Sequence, residues 1–144
     1  MLIASGACVA AAALPATATA AKWSGGTEQG RIVSVVTGAD GRVKSVLIGW
    51  RAHCGRGRYT TRTGFQRPLD VNVRGRFEDG APPGYRVKLG NGLRARIKPH
   101  VRGRLGGHGN WRGTFSVRVG IFRGTSQVDT CRLRGDSWSA APAA

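Results

Sequence analysis

Ser45-Val46-Leu47-Ile48-Gly49-Trp50-Arg51-Ala52-His53-Cys54 is the most strand-like run in the chain. Val46, Ile48, Trp50, Ala52 and Cys54 recur at every second position, so they would share one face of an extended strand. The run reads as a central strand, and its last residue ties it to the far end of the sequence. Once an N-terminal export signal is removed, Cys131 is the one other cysteine, and a Cys54–Cys131 disulfide would join the last strand to this one. Closing so long a loop would contribute about 4 kcal/mol in the chain-entropy view. Two buried free thiols are the alternative. A zinc site would need more ligands than two cysteines without C-x-x-C or H-x-x-x-H spacing supply.

The signal is read from residues 1–20, which carry no charge, an apolar body from Leu2 to Leu14, then Pro15 and an Ala18-Thr19-Ala20 cleavage pattern. The apolar part is too short to span a bilayer comfortably. Cys8 precedes most of that apolar body, the wrong order for a lipidated cysteine. The absence of a positive leading segment suggests a start upstream of Met1. A secreted or extracytoplasmic, cell-envelope location follows, with one domain over residues 21–140, a disordered tail at 141–144 and no transmembrane segment in the mature chain.

Outward from the central strand, the pattern is alternation punctuated by turns. Residues 23–30 read as an edge strand or strap and 31–36 as a short apolar strand. Gly38-Ala39-Asp40-Gly41 makes a hairpin into the central strand. After the turn at 55–58 and a Thr-rich extended run at 59–63, Leu69, Val71, Val73, Gly75 and Phe77 alternate with Asp70, Asn72, Arg74 and Arg76 as one regular strand. Residues 78–84 form a loop by their prolines and glycines. Gly90-Asn91-Gly92 joins 85–89 to 93–105, where Pro99 argues for an edge position or a break. Trp111, Gly113, Phe115, Val117, Val119 and Ile121 then point inward against Arg112, Thr114, Ser116 and Arg118, and 128–138 supplies the last strand. The fold class is all-β: an antiparallel β-sandwich or, alternatively, a small closed β-barrel, with one disulfide.

The chain resembles a family of small exported bacterial proteins of unknown function, rich in glycine and threonine. The carrying residues are the start Trp23-Ser24-Gly25-Gly26-Thr27-Glu28-Gln29-Gly30, similar to aromatic-x-G-x-T-x-Q-G, the strand ending at Cys54, and Cys131 followed by Trp138 and Ala140. The resemblance covers residues 23–140. It implies a signal peptide, an all-β domain and a cysteine pair, and it carries over no activity. The chain departs from the pattern in its arginine content and at Asp136, where the pattern expects an apolar residue.

The 144 residues hold 23 Lys and Arg against seven Asp and Glu, a net charge of +16, with a pI near 11.7. Such an excess attracts polyanions, although 19 of the 23 are arginine, which a GC-rich coding sequence alone could produce. Arg74, Arg76, Arg86, Lys88, Arg94, Arg96, Lys98, Arg102 and Arg104 all fall on the outward phase of their strands. If those strands are neighbours, they form one basic face able to contact phosphate or carboxylate.

Other chemistry is thin. A nucleophile triad would have to use His53, His100 or His108, two on outward faces and one in a glycine turn. The seven acids are scattered, with Glu78 and Asp79 adjacent in a loop. The glycine run 103–109 is followed by a strand, not by the helix that phosphate-binding loops require. Arg134-Gly135-Asp136 matches an adhesion tripeptide but lies on a strand rather than at a loop tip. Trp50 and Trp111 read as core, Trp23 and Trp138 as rim. The expectation is a non-enzymatic domain without cofactor or defined small-molecule ligand, binding an anionic polymer or envelope surface without specific nucleic-acid recognition. A secreted hydrolase with an unrecognised site, or a structural envelope component, are the alternatives.

Overall fold

The structure is a computed structural model that describes residues 20–66, 69–72, 74–79 and 84–143. The expected export signal lies outside the described residues but for Ala20, as do Cys8, Val73, residues 80–83 and Ala144. Among the described residues the chain forms nine antiparallel strands and no helix: β1 (Ala21–Thr27), β2 (Ile32–Thr37), β3 (Val43–Cys54), β4 (Gly57–Phe65), β5 (Arg76–Asp79), β6 (Tyr85–Gly90), β7 (Leu93–Leu105), β8 (Trp111–Arg123) and β9 (Ser126–Pro142). They pair in the order β4-β3-β2-β1-β9-β8-β7-β5, with β6 also on β7.

This one sheet folds over on itself, sandwich-like, so that its two halves share a core. Trp50 on β3 and Phe65 on β4 meet Phe115 on β8, with ring centroids 6.1 and 6.5 Å apart. Period-two alternation drives this: Val46, Ile48, Trp50 and Ala52 are wholly buried on one side, and Trp111, Phe115, Val117 and Val119 face them from the other. Each valine, isoleucine or phenylalanine among them contributes about 1.5–3 kcal/mol by leaving water. Across the outer edges the Thr63 hydroxyl lies 2.7 Å from the Tyr85 hydroxyl. Thr63 also accepts from the Trp50 indole.

β3 also pairs directly with β9, through His53↔Arg132 and Cys54↔Cys131. The β1–β2 hairpin is therefore a wedge driven between β3 and β9. Beyond its tip those two strands converge, and there the Cys54–Cys131 disulfide bonds them, with Cα atoms 4.0 Å apart. The expected pairing of the two cysteines is present.

Several expectations change. β1 is not an edge strand: it lies between β2 and β9, pairing Ser24 with both Ser34 and Ala141. The run from Leu69 to Phe77 is not one strand. Leu69 forms an isolated bridge to Val43, and a turn follows in which Asn72 Oδ1 accepts from the Arg74 and Arg76 N–H groups. Gly75 takes φ +70° there, and only then does β5 begin. The alternation of burial nonetheless survives, with Leu69 and Phe77 inside.

β7 passes through Pro99 without a break. β6 pairs as far as Ile97 and β5 begins at Val101, so the residue that lacks an N–H sits in the interval between two partners. Trp138 is core, 3 % exposed, rather than rim. The residues expected to fray continue β9 to Pro142, which pairs with Trp23.

Candidate polyanion-binding face

β5, β6, β7 and β8 place their outward residues in register, and basic side chains fall opposite basic side chains. Arg76, Arg104 and Arg112 form one row across three strands. Lys98, Arg118 and Arg132 form another across β7, β8 and β9. Arg86 faces Arg96, and Lys88 faces Arg94. Directly opposed residues on an antiparallel pair are about 4.5–5.5 Å apart at Cβ, where like charges destabilise the sheet. These side chains are exposed, Arg96 alone being half-buried.

Eight of the nine expected residues thus share one face. Arg74 is the exception, being exposed in the Asn72 turn rather than on a strand. Arg112, Arg118 and Arg132 join the face although the expected set omitted them. The first two were legible as outward; β8 returns along β7 through a tight hairpin, and this pairing makes their outward sides coincide.

One acid faces outward from the strands of this set, Glu78. Its Oε1 lies 2.6 Å from His100 Nε2 and 3.3 Å from Arg102 Nε. The His100 hydrogen bond, with help from Arg102, holds the Glu78 carboxyl below its ordinary range. Arg76, Arg104 and Arg112 have no acidic partner among the described residues. With Arg102 they line an open groove of about 690 Å³ that Phe77, Gly103 and Gly113 also line and to which Asp70 and Glu78 contribute two carboxylates. The glycines serve the opposite side of the sheet, where a Cβ on Gly103 would collide with the Phe77 ring and one on Gly113 with Trp138. The site is an open trough in which four arginines outnumber two acids.

The other candidates separate clearly. His53 and His108 are exposed, and neither lies near an acid among the described contacts. His100 meets Glu78 and stands opposite Ser116 on the ladder. The Ser116 hydroxyl is engaged by the Gly135 N–H at 2.9 Å. The glycine run 103–109 is the β7–β8 hairpin, and its Gly109 carbonyl accepts from the Trp23 indole.

In Arg134-Gly135-Asp136, Gly135 takes φ +59° at an irregularity in the β8–β9 register. That kink turns Asp136 inward, to 2 % exposure. The departure at Asp136 is thus accommodated by a bulge, and the tripeptide is not displayed. Burial first, and then the neighbouring Glu28, push the Asp136 carboxyl up to about 6. Among the described residues no group of three His, Cys, Asp or Glu side chains gathers as a metal-ligand set. No helix there is long and apolar enough to cross a membrane.

Compared with models of known protein families, with characterised proteins and with solved structures, the chain matches none.

Proposed function

We propose that this protein is an exported, non-enzymatic β-domain that associates with anionic polymers or anionic envelope surfaces through the face centred on β7. The observation that carries the reading is the stacking of like charge. Two three-strand rows, Arg76-Arg104-Arg112 and Lys98-Arg118-Arg132, are opposed directly and without acids between them. A face selected only for solubility gains nothing from this arrangement, whereas a bound polyanion converts the repulsion into attraction and releases its own counterions. Arginine forks suit phosphate, sulfate and carboxylate groups alike. The disulfide fits an oxidising compartment.

The test is retention of the purified domain on heparin and on long-chain polyphosphate across a salt series. The expected result is binding at low salt that falls linearly on a log–log plot, with the slope reduced by about two to three in Arg76→Gln/Arg104→Gln/Arg112→Gln. No binding to either polymer at low ionic strength would end the proposal.

A hydrolase is the second reading, favoured by the His100–Glu78 contact beside Ser116. Hydrolysis of activated esters that is abolished in both His100→Ala and Ser116→Ala would support it. Equal background turnover in all three proteins would dismiss it.

A further inference from the structure

The basic face carries one aromatic ring. Of the ten Phe, Tyr and Trp residues, nine belong to the core or pack against it. Phe122 does not, because it falls on the outward phase of β8, opposite Arg94. It is half-buried although it faces away from the core. The reason is Gly120, two residues back on the same side: a Cβ there would lie 2.7 Å from the Phe122 ring, so the ring leans along the strand over the space that glycine leaves. Arg96 stands opposite Gly120, and Arg86 opposite Arg96. The result is an open pocket of about 350 Å³ lined by Phe122, Arg86, Arg94 and Arg96, with Gly124 and Thr125 of the β8–β9 turn at its rim. None of the three arginines has an acidic partner among the described residues.

We propose that this pocket binds one nucleotide unit of a single-stranded nucleic acid, the base on the Phe122 ring and the adjoining phosphates on Arg86, Arg94 and Arg96. The inference rests on the polyanion reading and narrows it. A purely phosphate or sulfate polymer has use for the arginines and none for a ring. A nucleotide offers a flat π-face within one backbone step of a phosphate, which is the pairing of groups this pocket presents. Arginine planes also stack on unpaired bases. From Arg94 to Arg104 the outward residues of β7 extend about 33 Å at the usual strand rise. A strand anchored at Phe122 would therefore lie along the trough toward Arg76 and Arg112. Stacking reads no base edge, so binding would be indifferent to sequence beyond stacking strength.

The experiment compares three labelled probes: a single-stranded oligodeoxythymidylate of about a dozen nucleotides, polyphosphate of matched charge, and heparin. They are titrated against the intact domain, Phe122→Leu and Phe122→Trp. A leucine at this outward position leaves the core untouched. The expected result is an oligonucleotide affinity about tenfold lower in Phe122→Leu and restored in Phe122→Trp, with polyphosphate and heparin changed less than about twofold. Unchanged oligonucleotide binding in Phe122→Leu overturns the inference while leaving the polyanion reading intact. An equal loss for heparin also overturns it, because the ring would then be reading a sugar. Failure of all three probes to bind overturns both.

Discussion

The side-chain amide of Gln29 pairs with the backbone of Arg51 from both ends: Nε2 donates to the Arg51 carbonyl and Oε1 accepts from the Arg51 N–H, each at 3.0 Å. Gln29 sits at the tip of the β1–β2 wedge, where β3 has run past its β2 partner and has not yet reached β9. The amide stands in for a strand at that point. On the other flank Glu28 does the same for β9, donating its N–H to the Ser137 carbonyl and accepting from the Ser137 N–H at its Oε1. Replacing Gln29 with Ala would strand a half-buried donor and acceptor. The expected cost is about 1–3 kcal/mol, read as a lower Tm together with faster exchange of the Arg51 amide. Unchanged protection at Arg51 would show that the amide is dispensable.

Replacing Cys54 and Cys131 with Ala removes the cross-link that closes the wedge, across 77 residues of sequence. The expected loss is about 4 kcal/mol in urea unfolding. Reductant should destabilise the natural protein by a similar amount and leave the double variant unaffected.

Asp136 sets a pH dependence opposite in sign to the usual carboxylate. Its folded pKa, about 6, lies above the ordinary 3.8, so between those values the native state holds more protons than the unfolded chain. Stability from this group is therefore present at low pH and fades as pH rises through 6. Asp136→Asn keeps a donor for Glu28 and removes the buried charge. Its Tm should exceed that of the natural protein at pH 7.5, by the equivalent of about 2 kcal/mol, with the gap shrinking by pH 5. Equal Tm differences at both values would refute the assignment. Glu78 and Asp129 act in the ordinary direction, their carboxyls held low chiefly by His100 and by the Gly55 N–H respectively. They should dominate only at more acidic pH.

Arg104 stands between Arg76 and Arg112. Arg104→Gln should raise stability at low salt by about 0.4–2 kcal/mol, for two relieved pairs. The gain should vanish above about 0.5 M salt, where exposed charges are screened. A loss of stability would mean that the arginine stems contribute more through packing than their heads cost through repulsion.

The sheet was legible wherever burial follows period two. Val46 to Ala52 and Trp111 to Ile121 are core as their alternation required. Position within the sheet was not legible, because it depends on pairings over long separations: nothing local in β1 reveals that Ser24 will meet Ala141. Leu69 and Phe77 show that burial at one parity does not imply a continuous ladder, since a turn at Asn72 and Gly75 separates two positions that both face in. The residues from Gly25 to Gly30 serve the architecture. Gly25 has no room for a Cβ against the Ser139 carbonyl, the Thr27 hydroxyl accepts from the Arg31 N–H, and Gly30 takes φ +73°. Phe122 was within reach of the same alternation, one step past Arg118 and Gly120. The four tryptophans differ from it, since the core takes up or packs against all of them.

The Ala143 N–H bonds to the Lys22 carbonyl at 2.8 Å, so positions 22 and 143 lie side by side at the seam between β1 and β9. A few glycines would bridge them, and the chain could then be cut open at Gly124 or Gly92 in an exposed hairpin turn. A circular permutant built this way would keep every ladder except the severed turn. It would also move the attachment point of a surface tether from the β1–β9 seam to a hairpin tip, giving control over how the arginine trough faces an immobilised polymer.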